Sequence, residues 1–175
     1  MKTAKIAALL IAFFISGPEL SAQVRISKID WQVSKVRGKK KRPFEAISEI
    51  ILAPYQKFPH KLRAVVTAHN TSAKPAGGLV LRCALSLHLV RLADPADPGF
   101  WAVPFRVEEL RISQIMPAGF YKAKLIHSRL NEQLKKLENT GFWADAVKLA
   151  VMLDPRQGDD PAAIIRESVI SIKKP

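Results

Sequence analysis

The chain has 175 residues, with 28 Lys plus Arg against 15 Asp plus Glu and a formal net charge of +13. Its one cysteine, Cys83, excludes an intramolecular disulfide, and the length suffices to bury about 70% of the unfolded surface without such a staple. The positive excess points towards anionic partners, while composition alone names no activity.

The opening MKTAKIAALLIAFFISGPELSAQ places Lys2 and Lys5 before an unbroken apolar run, Ile6 to Ile15. Gly17 and Pro18 break the run, and Ser21-Ala22 supplies small residues before Gln23. This is the layout of a signal peptide spanning 1–22, with cleavage after Ala22. A spanning helix takes roughly 20 apolar residues, so the run is short for an anchor; left uncut, it would act as a tether. The expected location is periplasmic or secreted. Loss of Lys2, Lys5 and Glu19 changes +13 only to about +12, so the basic character belongs to residues 23–175.

VRISKIDWQV alternates, with a change of phase near Ser27-Lys28, as a strand with a bulge would. KVRGKKKR follows at 35–42, with Lys35, Arg37, Lys39, Lys40, Lys41 and Arg42 basic. These six form the candidate anion-binding group, although a charge run is also the ordinary sequence of a solvated loop. FEAISEIILA, between Pro43 and Pro54, fits either a helix or a strand, and its isoleucines and shortness favour strand. LRAVVTAHN and GLVLRCALSLHLVRL both have period two. Leu79, Leu81, Cys83, Leu85, Leu87 and Leu89 share one face, and NTSAKPAGG between the two runs reads as a hairpin-like turn.

LADPADPG then leads to Phe100-Trp101, a candidate partner-binding pair. Val103, Phe105 and Val107 alternate, and the phase shifts at Glu108-Glu109, again suggesting a bulge. PAG at 117–119 turns into the strand FYKAKLI. Leu130, Leu134 and Leu137 recur at helical spacing, so a short helix is predicted over about 129–139, with Ser128 as cap and Gly141 as stop. GFWA occurs at 99–102 and again at 141–144, each glycine expected to free the backbone at a loop end. Val147, Leu149, Val151 and Leu153 alternate, DPRQGDD makes a polar loop, and IIRESVISI supplies the last strand.

Seven or eight strands with one late helix predict a single all-β domain over 23–175, an antiparallel β-sandwich. LRAVVTAHNTSAKPAGGLVLR and AVKLAVMLDPRQGD resemble the second-to-third strand region and the closing hairpin of bacterial immunoglobulin-like domains, the cell-adhesion-related and fibronectin-type-III-like groups among them. The resemblance implies an immunoglobulin-like sandwich serving adhesion, assembly or docking, and it lacks the paired cysteines of the disulfide-bonded members.

Catalytic constellations do not assemble in the sequence. His60, His69, His88 and His127 form no short ligand motif, and no GxSxG is present. Cys83 sits in the leucine row, where burial is the ordinary fate. His69 and His88 occupy the wetter faces of two strands that would pair if neighbours. Asp154, Asp159 and Asp160 lack calcium-loop spacing and leave only a weak cation site. Asn70-Thr71-Ser72 matches a glycosylation acceptor or a simple turn. The expectation is a non-enzymatic envelope module with no catalytic residue, cofactor or metal, binding a protein partner. The alternatives are an anionic lipid or polysaccharide held by 35–42, or a small envelope enzyme. Nucleic acid is disfavoured by export and by the missing motif.

Overall fold

The computed structural model describes residues 24–34, 36–37, 40–41, 43–94, 96–126 and 129–175. The leader 1–22 lies outside them, as do Lys35, Lys39 and Arg42 of the basic run, His127 and the expected cap Ser128. In chain order the strands are β1 (Val24–Ser34), β2 (Val36–Arg37), β3 (Lys40–Lys41), β4 (Glu45–Ala46), β5 (Glu49–Ile51), β6 (Lys61–Asn70), β7 (Ala76–Arg91) and β8 (Phe100–Trp101). Then come β9 (Arg106–Ile115), β10 (Phe120–Ile126), helix α1 (Leu130–Lys136), β11 (Phe142–Leu153), the single turn α2 (Pro161–Ile164) and β12 (Ile165–Lys173).

Two sheets face each other. The smaller has order β10-β6-β1-β4; the larger runs β5-β12-β11-β7, with β8 and β9 both on the far side of β7. β2 and β3 pair only with each other. The fold is thus the all-β sandwich that period two predicts, with seven strands of seven residues or more among the described residues. Inward rows from both sheets make one core: Trp31, Val33, Leu62 and Val66 on one side; Leu81, Leu85, Val147 and Leu149 on the other. The last two are completely buried. At roughly 1.5–3 kcal/mol per fully buried aliphatic side chain, this row dominates the stability.

Several local expectations hold for physical reasons that the contacts display. The phase change in β1 is a bulge between Ile26 and Lys28. Arg166 on β12 donates from Nη1 to the carbonyls of Ile26 and Ser27, reaching across the sandwich to the bulge. FEAISEIILA is strand rather than helix, but it divides. β4 pairs antiparallel with β1 in the smaller sheet, and β5 pairs parallel with β12 in the larger. The segment therefore laces the two sheets together, which explains why neither a single helix period nor a single strand period fits it. The predicted helix is present over Leu130–Lys136.

Two expectations are corrected. The segment after β6 is not a hairpin turn, because β6 and β7 belong to different sheets and the chain crosses the end of the sandwich there. The β9 register against β7 runs without a shift from Arg106 to Ile115, so no bulge occurs at Glu108-Glu109. Val107 faces out, 66% exposed, in phase with Glu109 and Arg111. The inward positions 106 and 108 are filled by an Arg106–Glu108 ion pair at the sheet edge. Charges turned inward on an edge strand discourage pairing with another chain, and this requirement hides the strand's true phase from a hydrophobic pattern.

Candidate binding surface

The crossing after β6 is organised by Asn70, which is completely buried. Its Nδ2 donates to the carbonyls of Lys74 at 2.8 Å, Ile115 at 3.1 Å and Met116 at 3.2 Å. Its Oδ1 accepts from Ser72 N–H and Ser72 Oγ. The nitrogen that a glycan would occupy is thus spent inside the fold, and Asn70 is a structural joint rather than an exposed acceptor.

The histidines are dispersed. His69 lies on β6 in the smaller sheet and stacks on Phe120 at 4.2 Å, whereas His88 lies on β7 in the larger. The two cannot form the acid–base or metal pair that neighbouring strands would allow. His88 Nδ1 instead donates to Asp145 Oδ1 at 2.7 Å. Asp145 is the extra residue where β11 shifts register between Ala144 and Ala146. No group of three or more His, Cys, Asp or Glu side chains among the described residues is placed to hold a metal ion. In the 154–160 loop the carboxylates are engaged within the fold. Asp154 pairs with Arg82, Asp159 accepts from Arg156 N–H, and Asp160 caps α2 by accepting from Ala162 N–H.

Phe100 and Trp101 form β8 at the edge of the larger sheet, 51% and 39% exposed. Both also serve the fold. Trp101 packs on His88 and lies under the Lys148 ammonium, and Phe100 meets Phe142 edge to face. The two GFWA copies therefore touch. Gly99 is needed for this: its φ is +68°, and a Cβ there would stand 2.5 Å from Leu89 O and 2.6 Å from His88 Cε1. The preceding loop is held by Asp97, which accepts from Gly99 N–H and Arg91 N–H. Those two bonds keep its carboxyl below the usual carboxylate range.

The face that sequence reading missed is the outside of the smaller sheet. Inward positions of β6 are Leu62, Ala64, Val66, Ala68 and Asn70, so Lys61, Arg63, Val65, Thr67 and His69 face outward. Register carries this face to both neighbours. Arg25 lies beside His69, Lys28 beside Thr67, Asp30 beside Val65 and Gln32 beside Arg63. On the other flank Phe120 lies beside His69, Lys122 beside Thr67 and Lys124 beside Val65. The three strands thus present Arg25, Lys28, Lys61, Arg63, Lys122 and Lys124 with Asp30 as the one carboxylate. Lys28 pairs with Asp30 at 2.8 Å. Arg63 donates to Gln32 and stacks over Phe44 at 3.8 Å. Neighbouring outward side chains stand about 4.8 Å apart across strands and about 7 Å apart along one. The signal in the sequence was faint because each basic residue sits alone among apolar ones, in segments far apart.

Of the six residues of the basic run, Arg37 lies on β2, and Lys40 and Lys41 lie on β3; this small ladder directly follows β1. No protein-family model matches the chain, and a search of curated proteins returns no match. No helix among the described residues is long and apolar enough to cross a membrane.

Proposed function

We propose that the chain is an exported, non-enzymatic binding module of a bacterial envelope, immunoglobulin-like in type. It engages an anionic partner through the outer face of its smaller sheet. The observation that carries this reading is the gathering of six cationic side chains on one face with a single carboxylate. A regularly spaced cationic face on a sheet suits a repeating anionic surface better than a small ligand, which needs a concave pocket. Basic residues near an anionic surface contribute about 1 kcal/mol each and are screened by salt. The basic run 35–42 follows β1 in the chain and adds its charge to the attraction.

The test is retention on an anionic matrix as salt rises, for the full chain and for Lys122→Ser/Lys124→Ser. Early elution of the variant supports the reading, and unchanged elution refutes it. A protein partner docked on Phe100 and Trp101 is the second reading, favoured by the half-exposure of both rings. Phe100→Ser would then abolish capture of that partner, while the lysine variant would retain it.

A further inference from the structure

The basic face ends in an apolar tip. β9 and β10 are joined by Met116–Gly119, a turn that carries the chain from the larger sheet to the smaller. Gly119 N–H donates to Met116 O at 2.9 Å, and Ala118 has a φ of 52°. A Cβ on Gly119 would stand 2.8 Å from the same Met116 oxygen, so the turn is closed tightly. Asn70 fixes it from inside. Its side chain binds the Ile115 and Met116 carbonyls, and its backbone N–H donates to Gly119 O at 3.0 Å.

This rigid turn projects apolar side chains. Met116 is 62% exposed and Phe120 63%, with Pro117 and Ala118 exposed between them. Single exposed apolar residues are normal; a contiguous group held on a fixed turn is not. The cationic residues Arg25 and Lys122 lie beside it, one across the His69 position from Phe120 and the other next outward along β10. A soluble polyanion would meet the charges and gain nothing from Met116 or Phe120. A bilayer uses both, with headgroup phosphates at the lysines and the headgroup–acyl boundary around the tip.

We infer that the ligand of the basic face is an anionic lipid bilayer, entered by Met116 and Phe120. This inference rests on the basic-face reading above. It is tested with the full chain, all variants sharing one N-terminus. The probes are vesicles of phosphatidylglycerol mixed with phosphatidylcholine, vesicles of phosphatidylcholine alone, and soluble polyphosphate. In F120W, the added indole emission shifts to the blue on mixed vesicles and is quenched by brominated acyl chains, with neither change on polyphosphate. M116S/F120S weakens binding to mixed vesicles by roughly thirtyfold, from the loss of two part-buried apolar side chains, and leaves polyphosphate binding unchanged. An unquenched F120W indole, with vesicle binding unaffected in M116S/F120S, overturns the bilayer inference and leaves the basic face standing. Absence of salt-sensitive binding to either anion overturns both. Unaltered thermal unfolding of M116S/F120S confirms that the tip, not the fold, was changed.

Discussion

The two outer faces of the sandwich handle charge in opposite ways. On the larger sheet most cations are answered locally, Arg82 by Glu109 and Asp154, Lys148 by Glu167 and Lys173 by Glu49, while His88 is bonded to Asp145 and Arg111, facing out on β9, makes no ion pair among the described residues. On the smaller sheet, Arg25, Lys61, Lys122 and Lys124 make no ion pair among the described residues. Uncompensated like charge opposes the compact state, so it does nothing for folding and is available to an external anion. A face whose charges are already paired has little left to offer such a partner. On the proposed reading, the better-paired face serves the fold and the less-paired face serves binding.

The largest effect comes from the joint between the sheets. Asn70→Ala leaves the buried Ile115 carbonyl and the part-buried Lys74 and Met116 carbonyls short of a donor, at about 1–3 kcal/mol for each group left fully unsatisfied. Sharing among three acceptors brings the expected loss to about 3 kcal/mol in urea unfolding. A loss below about 1 kcal/mol would show that water or a rearranged loop replaces the amide. Next comes the comparison of faces itself. Lys122→Ser/Lys124→Ser removes about 2 kcal/mol of binding to an anionic surface, roughly thirtyfold in affinity. Arg82→Ser, on the paired face, changes affinity by less than about twofold, because its charge is already compensated. Equal losses in the two variants would mean that net charge, rather than its placement, drives binding.

Much of the frame was legible because burial on one side of a strand leaves a period-two trace. The leucine row of β7 and the inward row Val147, Leu149, Val151 and Leu153 are unmistakable for that reason. The bulge in β1 is visible as a break in the same trace. What stayed hidden was strand pairing. The segment 70–76 contains turn residues whether it closes a hairpin or crosses between sheets, so the separation of His69 from His88 cannot be read from it. The basic face was hidden for the same reason: Arg25, Arg63 and Lys122 come onto one face only once register is known. The contiguous run 35–42, by contrast, is conspicuous in sequence because its residues are neighbours by connectivity alone. In β9, inward-turned Arg106 and Glu108 reverse the pattern that burial normally writes.

A smaller effect tests the paired face. Asp145→Ala removes the carboxylate that holds His88 and leaves the bulge of β11 without its cross-strand bond. The partly exposed setting limits the cost to about 1 kcal/mol, measured by unfolding. Trp101, packed on His88, should gain mobility, seen as a red shift and a lower anisotropy of its emission. Binding to an anionic surface should be unaffected, since the face concerned is the other one.

The smallest effect at ordinary pH belongs to Cys83, on the inner side of the larger sheet. Burial, and secondarily the Glu108 charge, push its thiol from 9.0 up to about 12. The sign follows from which state holds the proton. Below pH about 9 both folded and unfolded chains carry the neutral thiol, and the shift leaves stability unchanged with pH. Between about 9 and 12 the unfolded chain ionises while the folded chain does not, so Cys83 makes stability fall as pH rises. Cys83→Ala removes that slope, and the difference between parent and variant unfolding curves isolates it. Near neutral pH the prediction concerns rate: alkylation of native Cys83 should follow the unfolding rate rather than thiol chemistry. Labelling faster than unfolding would mean that the edge formed by β9 opens locally, and that the inward Arg106–Glu108 pair seals the sandwich less firmly than its place on the strand implies.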